Sequence, residues 1–363
     1  MKGWCLVVVK KLPIVLDAAI ISECWTFAKL AIIQTTEYAN AWLASHMNLY
    51  VNMINAYFGD YQSFHDPIYY EDILTIHEID IFNLNENQLT ELIKQNIDNQ
   101  KYILIYTDWN FTGDGVPRFH EILIYGYNDI KKVFYAPTLT NRKFTETEIS
   151  YKHIKDSLPV LINHLKLNKW KRLGLSITYQ LLLSSISTRE DYSPDRCAYT
   201  ALKKIKDEIN GKQIKLEELN ENLDICNERI NYTGISCLHS LLKTLQRMIN
   251  LEELPNWYQG LTSMLKKIHE HRELIHLSMN YIVRKWDIDK PEIFQLVAQY
   301  QIYCERTKKW YLMALKYELV QNCSLLERIA YEVPIAYKEE KAVLQSFDSF
   351  CTAWYSDNYE RVI

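Results

Sequence analysis

Helical and strand-like patterns of apolar residues alternate in the first part of the chain. From Cys24 onwards apolar residues recur at intervals of three and four, which predicts a buried helix, and aromatic helical character continues through residues 37–60. A second helix is predicted at 85–97, where Asn85 is followed three residues later by Gln88 as in a capping box. The predicted strands are 73–81, 101–107, 119–127 and 132–135.

After about residue 160 only helical patterns remain. Proline residues stand near the predicted first turns of several of these helices, at Pro255, Pro291 and Pro334. The predicted helices are 197–210, 214–225, 236–249, 257–283, 291–319 and 335–355. The chain of 363 residues is longer than one core usually needs. We therefore expect an α+β domain over residues 1–160 and an all-α helical domain over residues 161–363.

Composition and charge narrow the class of protein. Nine glycines and nine prolines are few for this length, which favours long helices over a turn-rich β-sandwich. The net charge of −4 gives no reason to expect nucleic acid as a partner. The apolar run at the N-terminus is interrupted by Lys10 and Lys11, and no stretch is apolar enough to span a membrane. We expect a cytoplasmic protein that binds no membrane.

The eight cysteines show no C-x-x-C spacing, so neither a zinc site nor a disulfide framework is predicted. His269 and His271 lie two residues apart on a predicted helix and point in nearly opposite directions, so with His276 they do not converge on one ion. We expect no metal and no bound cofactor.

One cysteine and one histidine carry candidate chemistry. Cys24 lies where a helix begins after a loop, and the partial positive charge of a helix N-terminus favours a thiolate. His120 begins an apolar strand about a hundred residues later and is a candidate base. Alone, each is more often structural, but together they favour a catalytic pair. Cys5 is a rival nucleophile, although no helix begins directly after it.

These two segments resemble the papain superfamily. The sequence Cys24-Trp25-Thr26-Phe27 is similar to the Cys-Trp-x-Phe pattern that opens the nucleophile helix of that family. The strand from His120 to Gly126-Tyr127 resembles the family's histidine strand, with the same interval between His and Gly. The resemblance covers roughly residues 5–160. It implies a papain-like catalytic domain, built from a nucleophile helix and an antiparallel sheet, with Cys24 as nucleophile and His120 as base.

Three positions depart from the family pattern. The residue that orients the histidine usually follows it by sixteen positions, where this chain has Ala136. The glutamine that supplies an oxyanion donor is replaced by Ala18, and Glu23 stands where a small residue is usual before the nucleophile. The backbone N–H of Cys24 remains one possible oxyanion donor. Either the site is a Cys–His dyad, or another residue takes the orienting role, for which the candidates are Asp108, Asn128, Asp129 and Asn141.

The layout of the whole chain resembles proteins of antibiotic assembly, namely the butirosin biosynthesis protein H family and the cysteine-protease homologue of closthioamide biosynthesis. This resemblance implies transfer of an acyl group from the phosphopantetheine arm of a carrier protein, through an acyl-Cys24 intermediate, to a small amine. The alternatives are a cysteine hydrolase acting on a peptide, amide or thioester, and a non-catalytic binding module.

Several residues are candidates for substrate or partner contact in that reaction. The basic segment 165–172 is a candidate for docking an acidic carrier protein, although a solvated linker is the plainer interpretation. Trp25, next to the nucleophile, is a candidate for substrate contact. The carboxylates that would favour a cationic amine are Glu23, Asp108, Asp114 and Glu121.

Overall fold

The computed structural model describes residues 9–51, 56–59, 70–79, 84–108, 119–140, 143–166, 183–211, 213–215, 230–252 and 260–362. Helices and strands are numbered in chain order. The helices are α1 (Cys24–Ile33), α2 (Ala39–Ser45), α3 (Glu86–Asp98), α4 (Tyr151–Lys166), α5 (Cys197–Asn210), α6 (Cys237–Ile249), α7 (Leu261–Lys285), α8 (Pro291–Val320) and α9 (Ser324–Val362). The strands are β1 (Val9–Lys11), β2 (Asn48–Val51), β3 (Ala56–Gly59), β4 (Leu74–Glu78), β5 (Tyr102–Asp108), β6 (Phe119–Ile124), β7 (Gly126–Asn128), β8 (Val133–Thr140), β9 (Lys143–Ser150), β10 (Leu183–Thr188), β11 (Gln213–Lys215) and β12 (Ile230–Thr233).

The chain divides into two compact units whose boundary differs from the predicted one at residue 160. The first unit comprises residues 1–37, 70–192 and 218–225, and the second comprises 38–69, 193–217 and 226–363. The strand β10 belongs to the first unit because it pairs with both β4 and β5, and the helix α4 belongs to it because it packs against β5 and α3. The helix α2 belongs to the second unit, where it packs against α5 and α7. The α+β class itself is confirmed.

The first unit contains two antiparallel sheets, with strand orders β1-β7-β8-β9 and β4-β10-β5-β6. Its helix α1 is apolar on nearly every side, and Phe27, Leu30, Ile32 and Ile33 are at most 1% exposed. A helix of this composition is stable only inside a core, and each such side chain contributes about 2 kcal/mol of burial free energy. Burial therefore fixes α1 as the central helix of the unit.

The predicted strand 119–127 is divided between the two sheets at Tyr125. β6 pairs with β5, whereas β7 pairs with β1 and β8. A Cβ atom on Gly126 would lie 2.5 Å from the backbone oxygen of Lys10 and 3.0 Å from the Cα of Lys11. Glycine is therefore required here by the close approach of β1.

The second unit combines α2 and α5–α9 with an antiparallel sheet in the order β11-β12-β2-β3. The second unit is therefore not all-α as predicted, because β11 and β12 lie in a region expected to be purely helical. The helical prediction for 37–60 is right only at α2, since β2 and β3 form a hairpin with Tyr50 opposite Tyr57. Strands of three or four residues are too short to show a period.

The helices from residue 261 onwards confirm a helical C-terminal region. Pro291 stands at the beginning of α8, as predicted. Pro334 lies inside α9, which begins at Ser324, so this proline removes one backbone hydrogen bond and does not begin a helix. Within the described parts of the chain, no helix has the length and apolar character needed to cross a bilayer.

Candidate active site

The N-terminus of α1 places the Cys24 side chain. Glu23 has an extended backbone, and the Phe27 N–H donates to the Glu23 carbonyl oxygen at 2.8 Å, which closes the first turn. Cys24 is therefore the first helical residue, as predicted, and its thiol is half-buried. The first N–H groups of a helix have no intrahelical acceptors and carry partial positive charge. This end of α1 therefore favours negative charge on or near the sulfur.

The strand β6 brings His120 to Cys24. His120 lies directly opposite Thr107 of β5, and its ring lies within interaction range of the Cys24 side chain, with which it lines one cavity. The two residues that the sequence analysis paired are thus in contact. A base within hydrogen-bond reach of a cysteine is the geometry that nucleophilic catalysis requires.

Glu121 occupies the position behind the imidazole. His120 Nδ1 lies 3.0 Å from the Glu121 carbonyl oxygen and 3.2 Å from its Oε2. The Glu121 carboxylate also accepts a hydrogen bond from the hydroxyl of Tyr106, which lies opposite it on β5. A carboxylate held in this way can fix the orientation of the ring and stabilise an imidazolium.

Sequence reasoning missed this role of Glu121, treating it only as a charge that could attract an amine. Adjacent residues of a strand normally point to opposite faces, so a histidine is not expected to bond to the next side chain. The only signal in the sequence was the carboxylate beside the candidate base.

The protonation of His120 follows from these contacts. Burial by itself would lower the pKa of His120. The hydrogen bond to Cys24, followed by the negative charge of Glu121, outweighs burial and raises the pKa to about 9. For the Glu121 carboxyl group, burial raises the pKa, and the positive charges of His120 and Lys29 oppose that shift. His120 is therefore an imidazolium near neutral pH.

A buried lysine lies close to the same carboxylate. Lys29 of α1 is 2% exposed, and its Nζ lies 5.2 Å from the centre of the Tyr70 ring. Burial lowers the pKa of Lys29 to about 7, although the negative charges of Glu121 and Glu23 oppose the shift. Glu23 in turn accepts a hydrogen bond from the Thr26 hydroxyl at 2.5 Å. Sequence reasoning did not identify Lys29, because a lysine in a helix is ordinarily solvated.

A mainly apolar cavity of about 160 Å³ opens at Cys24 and His120. Cys24, Phe27 and Ala28 line it from one face of α1, as residues three and four positions apart do. Phe27 stacks on Phe144 with ring centres 3.4 Å apart. The remaining residues that line the cavity are Glu121, Ile122, Leu123, Pro137 and Leu139.

Two of the four predicted orienting residues lie in other contacts. Asn128 caps the β7–β8 turn, where its Oδ1 accepts from the N–H groups of Ile130 and Lys131 at 3.0 and 3.1 Å. Asp129 lies 3.0 Å from the Lys94 ammonium and accepts from the Tyr151 hydroxyl. Neither contributes to the Cys24–His120 pair, because each satisfies a local turn or ion pair.

Asp108, the third of these residues, ends β5 opposite residue 119, one position beyond the Thr107–His120 pair. Its carbonyl oxygen lies 2.6 Å from His153 Nε2. The position of Ala136 is buried in β8, opposite Thr147 of β9. Glu121 is thus the carboxylate that contacts His120 Nδ1.

Some predicted residues lie outside the described residues. These are Cys5, Asp114, Asn141, the side chain of Trp25 and most of the basic segment 165–172. Of the cysteines in the part that the structure describes, Cys24 is half-buried beside a histidine, and Cys323 is half-buried elsewhere.

The three histidines of α7 form no metal site. His271 is buried in an ion cluster, where its Nδ1 lies 2.8 Å from Arg272 Nη1. The His276 ring nitrogen lies 3.2 Å from the Asn280 side-chain nitrogen. Across the described ranges, no three His, Cys, Asp or Glu side chains are grouped to hold a metal ion.

Neither a scan against protein-family models nor a search of curated proteins finds a match for this chain.

Proposed function

We propose that this protein is a cysteine-dependent acyltransferase of papain-like fold, which forms an amide from a carrier-protein thioester and an amine. The single observation that carries the proposal is the pairing of Cys24 and His120 in one cavity, at the N-terminus of α1, with the Glu121 carboxylate 3.2 Å from the ring nitrogen of His120. The papain-like part is supported by a nucleophile at the start of a buried central helix and a histidine on an antiparallel strand.

In the first step, the Cys24 thiolate attacks the carbonyl carbon of the thioester. The new carbon–sulfur bond to Cys24 forms, the bond to the phosphopantetheine sulfur breaks, and the leaving thiolate takes the proton of the His120 imidazolium. The raised pKa of His120 supplies that proton at neutral pH. The backbone N–H of Cys24, at the start of α1, is the candidate donor to the oxyanion that develops in this step.

In the second step, His120 acts as a base. The amine nitrogen attacks the acyl carbon while neutral His120 removes its proton. The carbon–nitrogen bond forms, the bond to Cys24 breaks, and the thiolate–imidazolium pair is restored. The carboxylate of Glu121 stabilises the imidazolium at this point. Negative charge beside the cavity favours binding of the acceptor as its ammonium ion, which loses one proton to solvent before its nitrogen attacks.

Hydrolysis is the second candidate, and the exposure of the site favours it. Cys24 is half-buried and the His120 side chain is 41% exposed, so in the free enzyme water reaches both groups. If a bound amine does not displace that water, the water hydrolyses the acyl-enzyme and the product is a carboxylic acid. In either case the chemistry passes through an acyl group on Cys24.

The test uses butyryl-pantetheine and a butyryl-loaded acyl carrier protein as donors, with ethanolamine and related primary amines as acceptors. We expect intact-mass and peptide analysis to find the butyryl group on Cys24. The amines should discharge it at least about tenfold faster than water and yield the amide. Cys323→Ala is the control because its thiol is also half-buried, and it should behave as the wild type does.

Three results would contradict parts of the proposal. A product that stays purely acid with every amine would exclude transfer and leave hydrolysis. If the Cys24 adduct forms equally fast from butyryl-pantetheine and from the butyryl-loaded carrier protein, the natural donor is not a carrier protein. The absence of any adduct on Cys24 would favour a protein that binds a partner without catalysis.

A further inference from the structure

We propose that the cavity at Cys24 is the acyl pocket of the reaction and that it selects a compact, uncharged, apolar acyl group of about six carbons. This inference rests on the proposed function, since it concerns the group that Cys24 would carry. It goes further by stating the chemical class of the donor.

The position of the cavity makes it a pocket for the acyl group. Cys24 and His120 both line it, so an acyl group bonded to the sulfur begins inside it. Phe27 and Ala28 continue the surface along α1, and Leu139 and Phe144 close it from β8 and β9. These side chains come from a buried helix and paired strands, which hold them in fixed positions.

The size of the cavity limits the group. Its volume is about 160 Å³. An engineered apolar cavity of about 150 Å³ holds benzene, so this pocket has room for a group of about six carbons. An acetyl group would leave most of the apolar surface uncovered, and a ten-carbon chain would not fit within it.

The lining excludes charged acyl groups. Among the described residues around the cavity, the titratable side chains are Cys24, His120 and Glu121. The His120 imidazolium already has Glu121 as its carboxylate partner, so the pair offers no unbalanced positive charge to a second carboxylate. Burying a polar group against Phe27, Leu139 and Phe144 without a partner is unfavourable. A dicarboxylic acyl group such as succinyl is therefore disfavoured.

The experiment measures the second-order rate of Cys24 acylation by intact-mass spectrometry, with N-acetylcysteamine thioesters of acetyl, hexanoyl, decanoyl and succinyl groups. Each rate is divided by the rate of the same thioester with glutathione, which removes differences in intrinsic reactivity. We expect hexanoyl to exceed acetyl and succinyl by at least about tenfold, and decanoyl by about fivefold.

Two pocket variants test the assignment to these residues. Ala28→Leu fills the cavity from α1 and should lower the hexanoyl-to-acetyl ratio by at least about tenfold. Leu139→Ala enlarges it, and because Leu139 is 43% exposed this change should leave the fold intact and move the optimum toward decanoyl. The matched control is Ile130→Ala, an exposed apolar residue in the β7–β8 turn, which should leave every ratio unchanged.

The outcomes distinguish a wrong acyl pocket from a Cys24 that is not a nucleophile. If all four thioesters acylate Cys24 at the same normalised rate, or if neither pocket variant changes the ratios, the acyl pocket is wrong although Cys24 is a nucleophile. If succinyl is the fastest donor, the charge argument is wrong. If no thioester acylates Cys24, both proposals fall together.

Discussion

Each unit of this protein contains a histidine beside at least one carboxylate, and the two clusters differ in nearly every other respect. In the first unit, His120 contacts Cys24 and Glu121 beside an open cavity. In the second unit, His271 is fully buried beside Arg272 on α7. Arg272 lies 3.1 Å from Glu208 of α5 and 2.7 Å from Glu340 of α9, so this cluster joins three helices.

The neighbours of each histidine set the direction of its pKa. Burial, followed by the positive charges of Arg272 and Lys204, lowers the pKa of His271 well below its ordinary value. At His120 the thiol and the carboxylate overcome burial and raise it. A raised pKa beside a nucleophile that faces a cavity is the arrangement expected of a catalytic group, whereas the sealed cluster contains no accessible nucleophile. This difference supports the proposal that the first cluster is the reactive one and that the second serves helix packing.

The largest expected effect is the loss of Cys24. Cys24→Ala should lower kcat/KM for thioester turnover by at least about 1000-fold, because the covalent intermediate no longer forms. His120→Ala should cost nearly as much, and the double variant little more, because the two groups act as a unit. Steady-state kinetics measure these losses, and a circular dichroism melt checks that the fold is intact. Activity within about tenfold of the wild type in Cys24→Ala would show that the nucleophile is another residue.

The second prediction concerns the sealed cluster. Arg272→Met should lower the free energy of unfolding by about 3–5 kcal/mol, because it leaves Glu208 and Glu340 buried without their partner. Urea denaturation followed by circular dichroism measures the change. The control is Arg306→Met, which breaks the more exposed pair with Glu339 and should cost less than about 1 kcal/mol. Equal losses in the two variants would contradict the structural role of the cluster.

The third prediction tests whether the Glu121 carboxylate orients His120 and raises its pKa. Glu121→Gln removes the carboxylate that raises the pKa of His120 while keeping an oxygen that can accept. We expect kcat/KM to fall by about 10- to 100-fold, and its alkaline limb to move about one pH unit below the wild-type value near 9. Glu91→Gln on α3, at an exposed carboxylate, is the matched control. An unchanged alkaline limb would show that Glu121 does not act on His120.

The smallest effect is on stability as the pH changes. The pKa of His120 in the folded protein, about 9, exceeds its ordinary value of 6.5, so the native state holds the proton more tightly. This stabilisation is complete below about pH 6.5 and is lost as the pH rises through about 9. Because the ring is half-exposed, solvent screening reduces it to about 1 kcal/mol. Urea unfolding of the wild type and His120→Gln should converge toward pH 10, and a constant difference across this range would contradict the raised pKa.

The elements that the sequence predicted well have strong local signals. α3 follows Asn85, whose side chain accepts from the N–H groups of Asn87 and Gln88. The backbone N–H of Asn85 in turn donates to the side-chain oxygen of Gln88. The long helices α7 and α8 show the helical period over many turns. In contrast, β10 is placed by its partners β4 and β5, which are distant in sequence, and no local pattern marks such a strand.

The sequence predicted the pair of Cys24 and His120 but not the charged residues around it. Cys24 and His120 stand at the start of a helix and on a strand, where residue type and local pattern are both informative. Glu121 and Lys29 are defined by three-dimensional contacts: the carboxylate reaches the ring of its own neighbour, and the ammonium is buried near it. Neither contact follows from helix or strand periodicity.

The most direct test of the central claim is the relative reactivity of the cysteines. Substoichiometric iodoacetamide at pH 7, followed by peptide mapping, gives the alkylation rate of each of the eight thiols. We predict that Cys24 is labelled at least about tenfold faster than any other and that His120→Ala removes this advantage, because the neighbouring histidine activates the sulfur. Faster labelling of Cys5 or Cys323, or an unchanged rate at Cys24 in His120→Ala, would contradict the assignment of Cys24 as the activated nucleophile.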